Sequence, residues 1–338
     1  MTNRLNNRWV LSRYPEGMPE PDCWQLQTSE MPAPGDGQML VESCYLSVDP
    51  YMRGRISPQK NYAQSVEIGE TMHGGGVGRV IESRHPGFAV GDIVESMSFG
   101  WQEYTILDAA GTRVVDPSLG PIHSSLSYLG MPGLTAYFGL LRVANLQPGD
   151  NVVVSAASGA VGQIVGQIAR LMGARAIGVA GREDKLAWCR ELGFDETINY
   201  RTEDDLTRAI ADACPNGVDV YFDNTGGDIL DAVMNNLAQR ARIVICGTIS
   251  QAANFGKPDI GIRHMRNILV ARARMEGLLV FDFLNDYPRA LKALSHWAEV
   301  GLLRHREDIS EGISSVPDSF IRVLNGENFG KQLIRIRD

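Results

Sequence analysis

The fold is decided by residues 151–166, which read NVVVSAASGAVGQIVG. The apolar run Val152–Val154 is typical of a buried strand, and the small residues after it form a turn. Beyond the turn, apolar residues recur at helical spacing on one continuous face. They are Val161, Ile164, Val165, Ile168, Ala169 and Met172. The pattern predicts a strand, a glycine-containing turn and a helix that stops at Gly173.

The turn matches the dinucleotide-binding pattern G-x-G-x-x-G at two of its three glycines. Ala157 stands at the first position, whereas Gly159 and Gly162 keep the other two. Glycine at position 159 lets the backbone approach a pyrophosphate, and glycine at 162 lets the helix pack closely on the sheet. The amides and the positive dipole end of the helix would then bind the anion. We predict a dinucleotide site here; the alternative is a tight turn with a structural role alone.

The end of the second strand favours NADP over NAD. NAD-binding domains place Asp or Glu about 20 residues after the glycines, where it bonds the ribose 2′-OH. Here Gly181 is followed by Arg182 and Lys185, and two cations at this position suit a 2′-phosphate. Glu183 and Asp184 fit the first turn of the next helix, where acidic side chains are favourable. The alternative is that Arg182 and Lys185 are ordinary solvated residues.

Two kinds of pattern alternate along the chain. Residues 1–125 hold short strands, such as Gln38–Ser43, separated by proline and glycine turns. From Asn151, nearly apolar strands alternate with amphipathic helices such as Ile229–Leu237, which is typical of a parallel sheet covered on both faces. After Trp297 the strand-rich pattern returns. We therefore predict an α/β fold in which a doubly wound parallel sheet is inserted into a β-rich domain.

The composition is that of a moderately acidic globular protein. The 338 residues include 32 Lys and Arg against 40 Asp and Glu, for a formal net charge of −8. This balance argues against a nucleic-acid binder, which needs a basic face. The five cysteines and six histidines are scattered, which argues against a disulfide framework or a zinc knuckle. No run approaches the roughly 20 apolar residues of a membrane span, so no membrane binding is expected. Together with the scattered cysteines and histidines, this predicts a cytoplasmic protein that binds no metal.

Six motifs occur in order along nearly the whole chain. They are Val48–Gly54, Gly130–Tyr137, Ala157–Gly162, Tyr221–Gly227, Cys246–Ser250 and Asn328–Lys331. With them the chain resembles the zinc-independent medium-chain dehydrogenases/reductases, in the branch of leukotriene B4 dehydrogenase/15-oxoprostaglandin 13-reductase, plant alkenal reductases and bacterial curcumin reductase. The resemblance implies a GroES-like catalytic domain at 1–128, a Rossmann NADP-binding domain at 129–298 and a C-terminal return to the catalytic domain at 299–338. Mammalian members carry tyrosines where Gln251-Ala252 and Val270 stand here, so the bacterial branch is the closer guide.

The resemblance implies NADPH-dependent reduction of the carbon–carbon double bond of α,β-unsaturated aldehydes and ketones. The pyrophosphate is expected on Ala157, Ser158, Gly159, Ala160, Val161 and Gly162. Lys185 and Tyr200 are expected to bind the 2′-phosphate with Arg182 beside them, and Gly181 keeps the ribose end uncrowded. The other predicted cofactor contacts, near the ribose and nicotinamide, are Pro132, Thr135, Asn224, Cys246, Gly247, Ile249, Ser250 and Asn328.

Such a reaction needs hydrogen-bond donors at the substrate oxygen. Hydride moves to the β-carbon, and the enolate charge that builds on oxygen is stabilised by donors aimed at it. Tyr51, on a predicted loop, is the first candidate donor and Tyr62 the second. Either tyrosine could instead be a packed side chain whose hydroxyl meets backbone or water. Zinc-dependent relatives carry a Gly-His-Glu motif where this chain has Thr71–Gly76, so no zinc is expected.

Two other functions stay open at this point. The first is a quinone oxidoreductase of the same superfamily, in which the hydride goes to a quinone. The second is a non-catalytic NADPH-binding protein, which would bind the cofactor tightly without turnover. The expected partner is a small-molecule enone or enal substrate. The resemblance adds a second copy of the chain, in a homodimer formed through the Rossmann domains.

Overall fold

The computed structural model describes residues 5–59, 61–258 and 260–337. Contacts divide the chain into two compact units. The first takes in Met1–Ser127, Ala252–Lys257 and Glu307–Asp338, and the second takes in Tyr128–Gln251 and Pro258–Arg306. The domain limits at 128/129 and 298/299 stay predictions of the sequence. The short stretch Ala252–Lys257 is one that no sequence pattern assigned to the first unit.

The elements are named here in chain order. The strands are β1 (Leu5–Leu11), β2 (Trp24–Glu30), β3 (Gln38–Ser47), β4 (Gly76–Ser83), β5 (Ile93–Ser96), β6 (Tyr104–Asp108), β7 (Thr112–Val114), β8 (Asn151–Ser155), β9 (Arg175–Ala180), β10 (Glu196–Asn199), β11 (Val218–Asp223), β12 (Leu237–Ile245), β13 (Arg274–Gly277), β14 (Glu307–Glu311) and β15 (Lys331–Arg335). The α-helices are α1 (Met52–Arg55), α2 (Met131–Phe138), α3 (Gly162–Leu171), α4 (Glu183–Glu191), α5 (Leu206–Ala213), α6 (Gly227–Met234), α7 (Met265–Ala271), α8 (Tyr287–Glu299) and α9 (Val316–Leu324). Short 3₁₀ helices lie at Pro21–Cys23, Ile122–Leu126, Ile249–Asn254, Val280–Asp286 and Ile313–Ser315, and α2 continues into a π-helical turn at Gly139–Val143.

The second unit is built on a parallel sheet in the order β10-β9-β8-β11-β12-β13. The side chains of Val152–Val154 are fully buried in β8, because helices cover both faces of such a sheet. The predicted doubly wound fold is confirmed. Its strand order reverses direction between β8 and β11, and ligands of such sheets bind outside the strand ends at that point.

Helix α3 follows the predicted glycine turn and packs through the predicted apolar face. Ile164, Val165 and Ile168 are almost completely buried. The helix ends at Leu171, and Gly173 takes the left-handed conformation (φ +80°) that closes helices at their carboxyl end. The predicted stop is therefore confirmed.

One predicted helix is shorter than its pattern suggested. The periodicity extends over Ile229–Leu237, but α6 ends at Met234 and Leu237 begins β12. The side-chain amide of Asn236 donates to the carbonyls of Ala232 and Thr207, which ends the helical run. Leu237 then pairs with Val218 of the neighbouring strand. Pairing between strands, which local periodicity does not encode, outweighs the helical pattern here.

The first unit is β-rich, as predicted. Strands β1 and β2 pair in an antiparallel ribbon, and a seven-stranded sheet has the order β14-β15-β3-β4-β5-β7, with β6 also on β3. The carboxyl-terminal strand β15 lies against β3, where Leu333 pairs with Ser47. Pairing between β15 and β3 therefore joins the carboxyl-terminal segment to the first unit.

Candidate functional site

Apart from Pro132 and Thr135, the predicted cofactor residues of the second unit gather at one edge of its sheet. They follow the carboxyl ends of β8, β9, β10, β11 and β12, or lie in the helix that comes next. Because all these strands are parallel, their carboxyl ends meet at the same edge. The structure thus brings together three groups of residues that are far apart in sequence: one after β8, one after β9 and β10, and one after β11 and β12.

The glycine turn after β8 makes close backbone contacts. Ala156 has a positive φ of 48°, which non-glycine residues rarely adopt. A Cβ atom on Gly159 would lie 3.0 Å from the Ala156 carbonyl oxygen, and one on Gly162 would lie 2.4 Å from it. Position 162 therefore requires glycine, and a side chain at position 159 would press against the Ala156 carbonyl. The amides of Ser158 and Ala160, like that of Val161, donate to no acceptor in the described part of the chain. They are available to an anion.

A second group follows β9 and β10, which pair with Asn199 opposite Ala180. A Cβ atom on Gly181 would lie 2.7 Å from Cε1 of Tyr200 and 2.9 Å from Nε of Arg201. The Tyr200 ring and the Arg201 guanidinium therefore both lie against the backbone that follows β9. Tyr200 is 38% exposed, so its ring is accessible to a ligand.

Arg182 and Lys185, predicted in the same group, lie at the start of α4. The guanidinium of Arg182 makes two hydrogen bonds to the carboxylate of Asp184, one of them 3.0 Å long from Nε. This contact holds the pKa of Asp184 below its usual value. The amide of Lys185 donates to the same carboxylate at 2.9 Å. As predicted, Glu183 and Asp184 form the first turn of the helix.

The third group lies after β11 and β12, around Asp223. Its Oδ1 accepts hydrogen bonds from the amides of Thr225 (2.9 Å) and Gly226 (2.8 Å) and from the Tyr221 hydroxyl (2.9 Å). Asn224 donates from its side chain to the Ser155 carbonyl at 2.8 Å. The end of β11 is thereby joined to the end of β8, across the point where the strand order reverses.

The Cys246–Ser250 segment is anchored to the same strand end. The amides of Cys246 and Gly247 donate to the Asp223 carbonyl, and the Ser250 hydroxyl donates to the Thr225 carbonyl at 2.5 Å. Ile249 begins the 3₁₀ helix Ile249–Asn254. The predicted residues Asn224, Cys246, Gly247, Ile249 and Ser250 are therefore brought together.

Burial governs the protonation of this third group. Burial raises the pKa of Asp223, although the amides of Gly226 and Thr225 oppose the shift. Burial, with the nearby charge of Asp223, raises the pKa of the Cys246 thiol to about 12. The raised pKa favours the neutral thiol of Cys246 at physiological pH, and a neutral thiol is a poor nucleophile because the thiolate is the attacking form.

Pro132 and Thr135 lie in the first turns of α2, in the second unit. A Cβ on Gly133 would lie 1.9 Å from the Tyr128 carbonyl oxygen, so the helix start packs tightly against the preceding turn. Thr135 is 8% exposed. The sequence predicted that Pro132 and Thr135 lie on a linker into the second domain, whereas the structure places both in helix α2.

In the first unit, the two predicted tyrosines are linked through an arginine. The Arg55 guanidinium lies 5.6 Å from the ring centre of Tyr51 and 5.9 Å from that of Tyr62, within cation–π range. Its Nη1 donates to the Gln64 carbonyl at 3.0 Å. Burial, followed by the charge of Asp49, raises the pKa of Tyr51 far above its ordinary value, so its phenol stays protonated.

Asn328 also lies in the first unit, just before β15. Its side-chain amide donates to the Gly330 carbonyl at 2.9 Å, which closes a local turn. Gly330 has a positive φ of 79° and so suits glycine in this turn. The neighbouring Lys331 is buried against Asp49.

Two absences hold for residues 5–59, 61–258 and 260–337. No three His, Cys, Asp or Glu side chains come together there in a group able to hold a metal ion. Within the same ranges, none of the helices has the length and apolar character needed to cross a membrane.

Comparison with known proteins covers both units. A family model described as the N-terminal domain of oxidoreductase matches residues 7–115, and one described as zinc-binding dehydrogenase matches 160–296. The NADPH-dependent curcumin reductase of Escherichia coli is 40% identical over 98% of this chain and 97% of its own. The NADP(+)-dependent 2-alkenal reductase of Nicotiana tabacum is 38% identical, with the same coverage of both chains. The structure of CurA from Vibrio vulnificus in complex with NADPH has a TM-score of 0.92 and 40% identity, over 98% of this chain and 99% of its own.

The chain belongs to the medium-chain dehydrogenase/reductase family. The relatives place it in the branch that the six sequence motifs indicated, and that prediction is confirmed. The strand-end groups of this medium-chain reductase fit an NADP molecule. Gly159 and Gly162 leave room for a pyrophosphate beside unpartnered amides, and cations lie where a 2′-phosphate would be recognised.

Three candidate residues of this medium-chain reductase were missed from the sequence. Asp223 links its strand end to those of β8 and β12 through Ser155 and Cys246, Arg55 links two tyrosines, and Arg201 lies against Gly181. Only Arg201 carries a local signal, because it follows a predicted cofactor residue directly. The contacts of Asp223 and Arg55 depend on the folding of the chain, and no sequence pattern predicts them.

Proposed function

We propose that the protein reduces the carbon–carbon double bond of α,β-unsaturated aldehydes and ketones with NADPH, without a metal ion. One observation carries the proposal. The predicted cofactor groups of the second unit converge at the carboxyl ends of β8 to β12, on both sides of the reversal in strand order. The names of the relatives agree with it, since a 2-alkenal is an α,β-unsaturated aldehyde.

In this proposal each strand-end group binds one part of the cofactor. Ala157, Ser158, Gly159, Ala160, Val161 and Gly162 hold the pyrophosphate. Lys185 and Tyr200 bind the 2′-phosphate, with Arg182 beside them. Pro132, Thr135, Asn224, Cys246, Gly247, Ile249, Ser250 and Asn328 border the ribose and nicotinamide. When bound, NADPH supplies the hydride.

Tyr51 is the proposed donor to the substrate carbonyl oxygen. Its raised pKa keeps the phenol protonated, so it donates a hydrogen bond where enolate charge develops. Arg55 lies near the rings of both Tyr51 and Tyr62, so one guanidinium contacts both candidate donors. Tyr62, 57% exposed, is the second proposed donor.

We also propose a homodimer formed through the second units, in the cytoplasm. Strand β13 is the last in its sheet order and pairs with β12. Large apolar side chains around it are 42–71% exposed, namely Met265, Leu269, Val270, Met275, Phe281 and Leu284. An open strand edge beside an exposed apolar surface is suited to a second copy of the same chain. The five cysteines are all thiols, which suits a reducing compartment.

Spectrophotometric NADPH oxidation tests the proposal. The purified chain is assayed with 2-nonenal and with 1,4-benzoquinone, and the product of the first reaction is identified by mass spectrometry. We expect the saturated aldehyde and faster turnover with the enal. Turnover with the quinone alone would indicate a quinone oxidoreductase. Tight NADPH binding with no turnover on either electrophile would indicate a non-catalytic protein.

A further inference from the structure

We infer that Arg201 is a further residue of the 2′-phosphate site and contributes more to it than Arg182, an inference that rests on the proposed NADP function. The sequence pattern pointed to Arg182, since it directly follows the second strand of the sheet. The structure places a second arginine at the same edge, on the neighbouring strand. The two differ in what their guanidinium groups contact.

The position of Arg201 follows from strand pairing. Strand β10 ends at Asn199, opposite Ala180 at the end of β9, so Tyr200 and Arg201 emerge beside Gly181. The Nε atom of Arg201 is 2.9 Å from the point that a Cβ on Gly181 would occupy. The residue after the second strand is where dinucleotide-binding domains recognise the ribose 2′ group. The Arg201 guanidinium is therefore already at that place.

Its surroundings leave the charge of Arg201 available. No carboxylate lies within ion-pair distance of Arg201 in the described part of the chain, and the side chain is exposed. Its guanidinium lies 5.7 Å from the centre of the Tyr200 ring, so the tyrosine orients it without neutralising it. Its amide donates to the Asn199 side chain, which fixes the turn that carries it. An oriented, unneutralised guanidinium is suited to bidentate binding of a phosphate.

Arg182 is in the opposite condition. Its guanidinium is bonded through Nε and Nη2 to the carboxylate of Asp184. A phosphate would have to compete with this carboxylate for the same donors. The pair has little net charge to offer, whereas Arg201 offers a full positive charge. The difference predicts unequal effects when the two arginines are replaced.

The test measures the binding of 2′,5′-ADP and of 5′-ADP to the full chain by calorimetry, which does not depend on catalysis. We expect Arg201→Gln to weaken 2′,5′-ADP binding about tenfold or more, as loss of a charge-assisted phosphate contact does, and to leave 5′-ADP binding unchanged. Arg201→Lys should restore part of the affinity. For comparison, Arg182→Gln should also weaken 2′,5′-ADP binding, but by less than about threefold, because Asp184 already occupies its donors.

The outcomes separate this inference from the proposed function. If wild type binds 2′,5′-ADP and Arg201→Gln binds it equally well, or if Arg182→Gln is the more damaging variant, the inference is overturned while the proposed function stands. If wild type binds neither 2′,5′-ADP nor NADPH, both fail. The thermal unfolding temperature of Arg201→Gln should match that of wild type, since the side chain is exposed. If Arg201→Gln is destabilised, 2′,5′-ADP binding by Arg201→Lys tests the inference instead: affinity between those of wild type and Arg201→Gln supports it, and affinity no better than that of Arg201→Gln overturns it.

Discussion

At the scale of single residues, a buried ion pair supports the loop that carries Tyr51. The Lys331 ammonium donates to the Asp49 carboxylate at 2.7 Å and to the Val48 carbonyl at 2.8 Å, and both side chains are at most 5% exposed. The Ser47 hydroxyl donates to the other carboxylate oxygen. Burial lowers the pKa of Lys331, and Asp49 opposes that shift. The pair joins two of the sequence motifs, which lie at opposite ends of the chain.

Replacing Lys331 should be strongly destabilising. Lys331→Met leaves the Asp49 charge buried without its partner, and loss of one member of such a pair costs about 3–5 kcal/mol. Urea unfolding measures the change in the free energy of unfolding. The control is Arg142→Met in the exposed pair Arg142–Asp286, where we expect less than about 1 kcal/mol. Equal losses in the two variants would show that burial of the Lys331 pair is unimportant.

Tyr51 should act as a protonated phenol throughout the neutral and alkaline range. Its pKa is raised, so deprotonation in the folded protein begins at higher pH than for an ordinary tyrosine. Donation to the substrate oxygen is therefore lost only above that raised pKa, and kcat should show no decline from Tyr51 ionisation up to pH 9 or so. Tyr51→Phe should lower kcat by about 100-fold, as loss of one oxyanion donor does.

The kinetic comparison for Tyr51 is Tyr62→Phe, which keeps the ring beside Arg55 and removes only the hydroxyl. We expect a smaller loss of kcat than in Tyr51→Phe. A pH profile of Tyr51→Phe with the same shape as wild type but lower amplitude would agree with the assignment. Unchanged kcat in Tyr51→Phe would exclude Tyr51 as the donor.

At the scale of elements, helix α3 lies close to its neighbours because it carries glycine at its contact points. A Cβ on Gly166 would lie 1.9 Å from Cζ of Phe194, a buried side chain. Gly178, on the adjacent strand, would also meet the Phe194 ring, at 2.9 Å. The dinucleotide-binding pattern assigns the packing role to Gly162. In the structure Gly162 meets the backbone of the turn, and Gly166 meets the aromatic side chain.

Gly166→Ala should therefore destabilise the protein, although alanine is the better helix former by up to about 1 kcal/mol. The added methyl group overlaps the Phe194 ring, and overpacking of this kind costs about 1–3 kcal/mol. Urea unfolding of the single variant is compared with that of Gly166→Ala in a Phe194→Leu background. The alanine should be less harmful when the ring is absent. A gain in stability from Gly166→Ala alone would contradict the packing argument.

At the scale of the whole molecule, the chain passes between its two units more often than its pattern indicates. Ala252–Lys257 belongs to the first unit, although the residues on both sides of it belong to the second. The buried Arg53 holds this stretch, with Nε donating to the Ala252 carbonyl at 2.9 Å and the guanidinium 5.3 Å from the Phe255 ring. A stretch that no sequence pattern assigned to the first unit is thus a structural part of it.

The proposed dimer yields a test at this scale. Leu269, on α7, is 71% exposed in the apolar surface beside β13. Light scattering should give twice the mass of one chain for wild type and a lower average mass for Leu269→Lys. The matched control is Val90→Lys in the first unit, where Val90 is 68% exposed, and its mass should equal that of wild type. A wild-type mass of one chain would refute the dimer.

Much of the fold could be predicted because its signals are local. Val152–Val154, the glycine turn and the apolar face of α3 are adjacent in sequence, and each obeys a spacing set by backbone geometry. Leu237 shows the limit of that reasoning: it continues a helical period but lies in a strand because Val218 pairs with it. For the candidate site, a residue's position at a strand end was predictable, but the neighbours of its side chain were not.

The sequence by itself determined that a parallel, doubly wound sheet interrupts a β-rich unit and that its first turn suits a dinucleotide. These properties depend on periodicity, glycine and charge at positions close together in the chain. Only the tertiary structure decided that Lys331 neutralises Asp49, that Asp223 joins β11 to the neighbouring turns, and that Asp184 neutralises Arg182 while Arg201 keeps its charge. Electrostatic and hydrogen-bonding strength depends on distance and burial in space, and sequence separation determines neither.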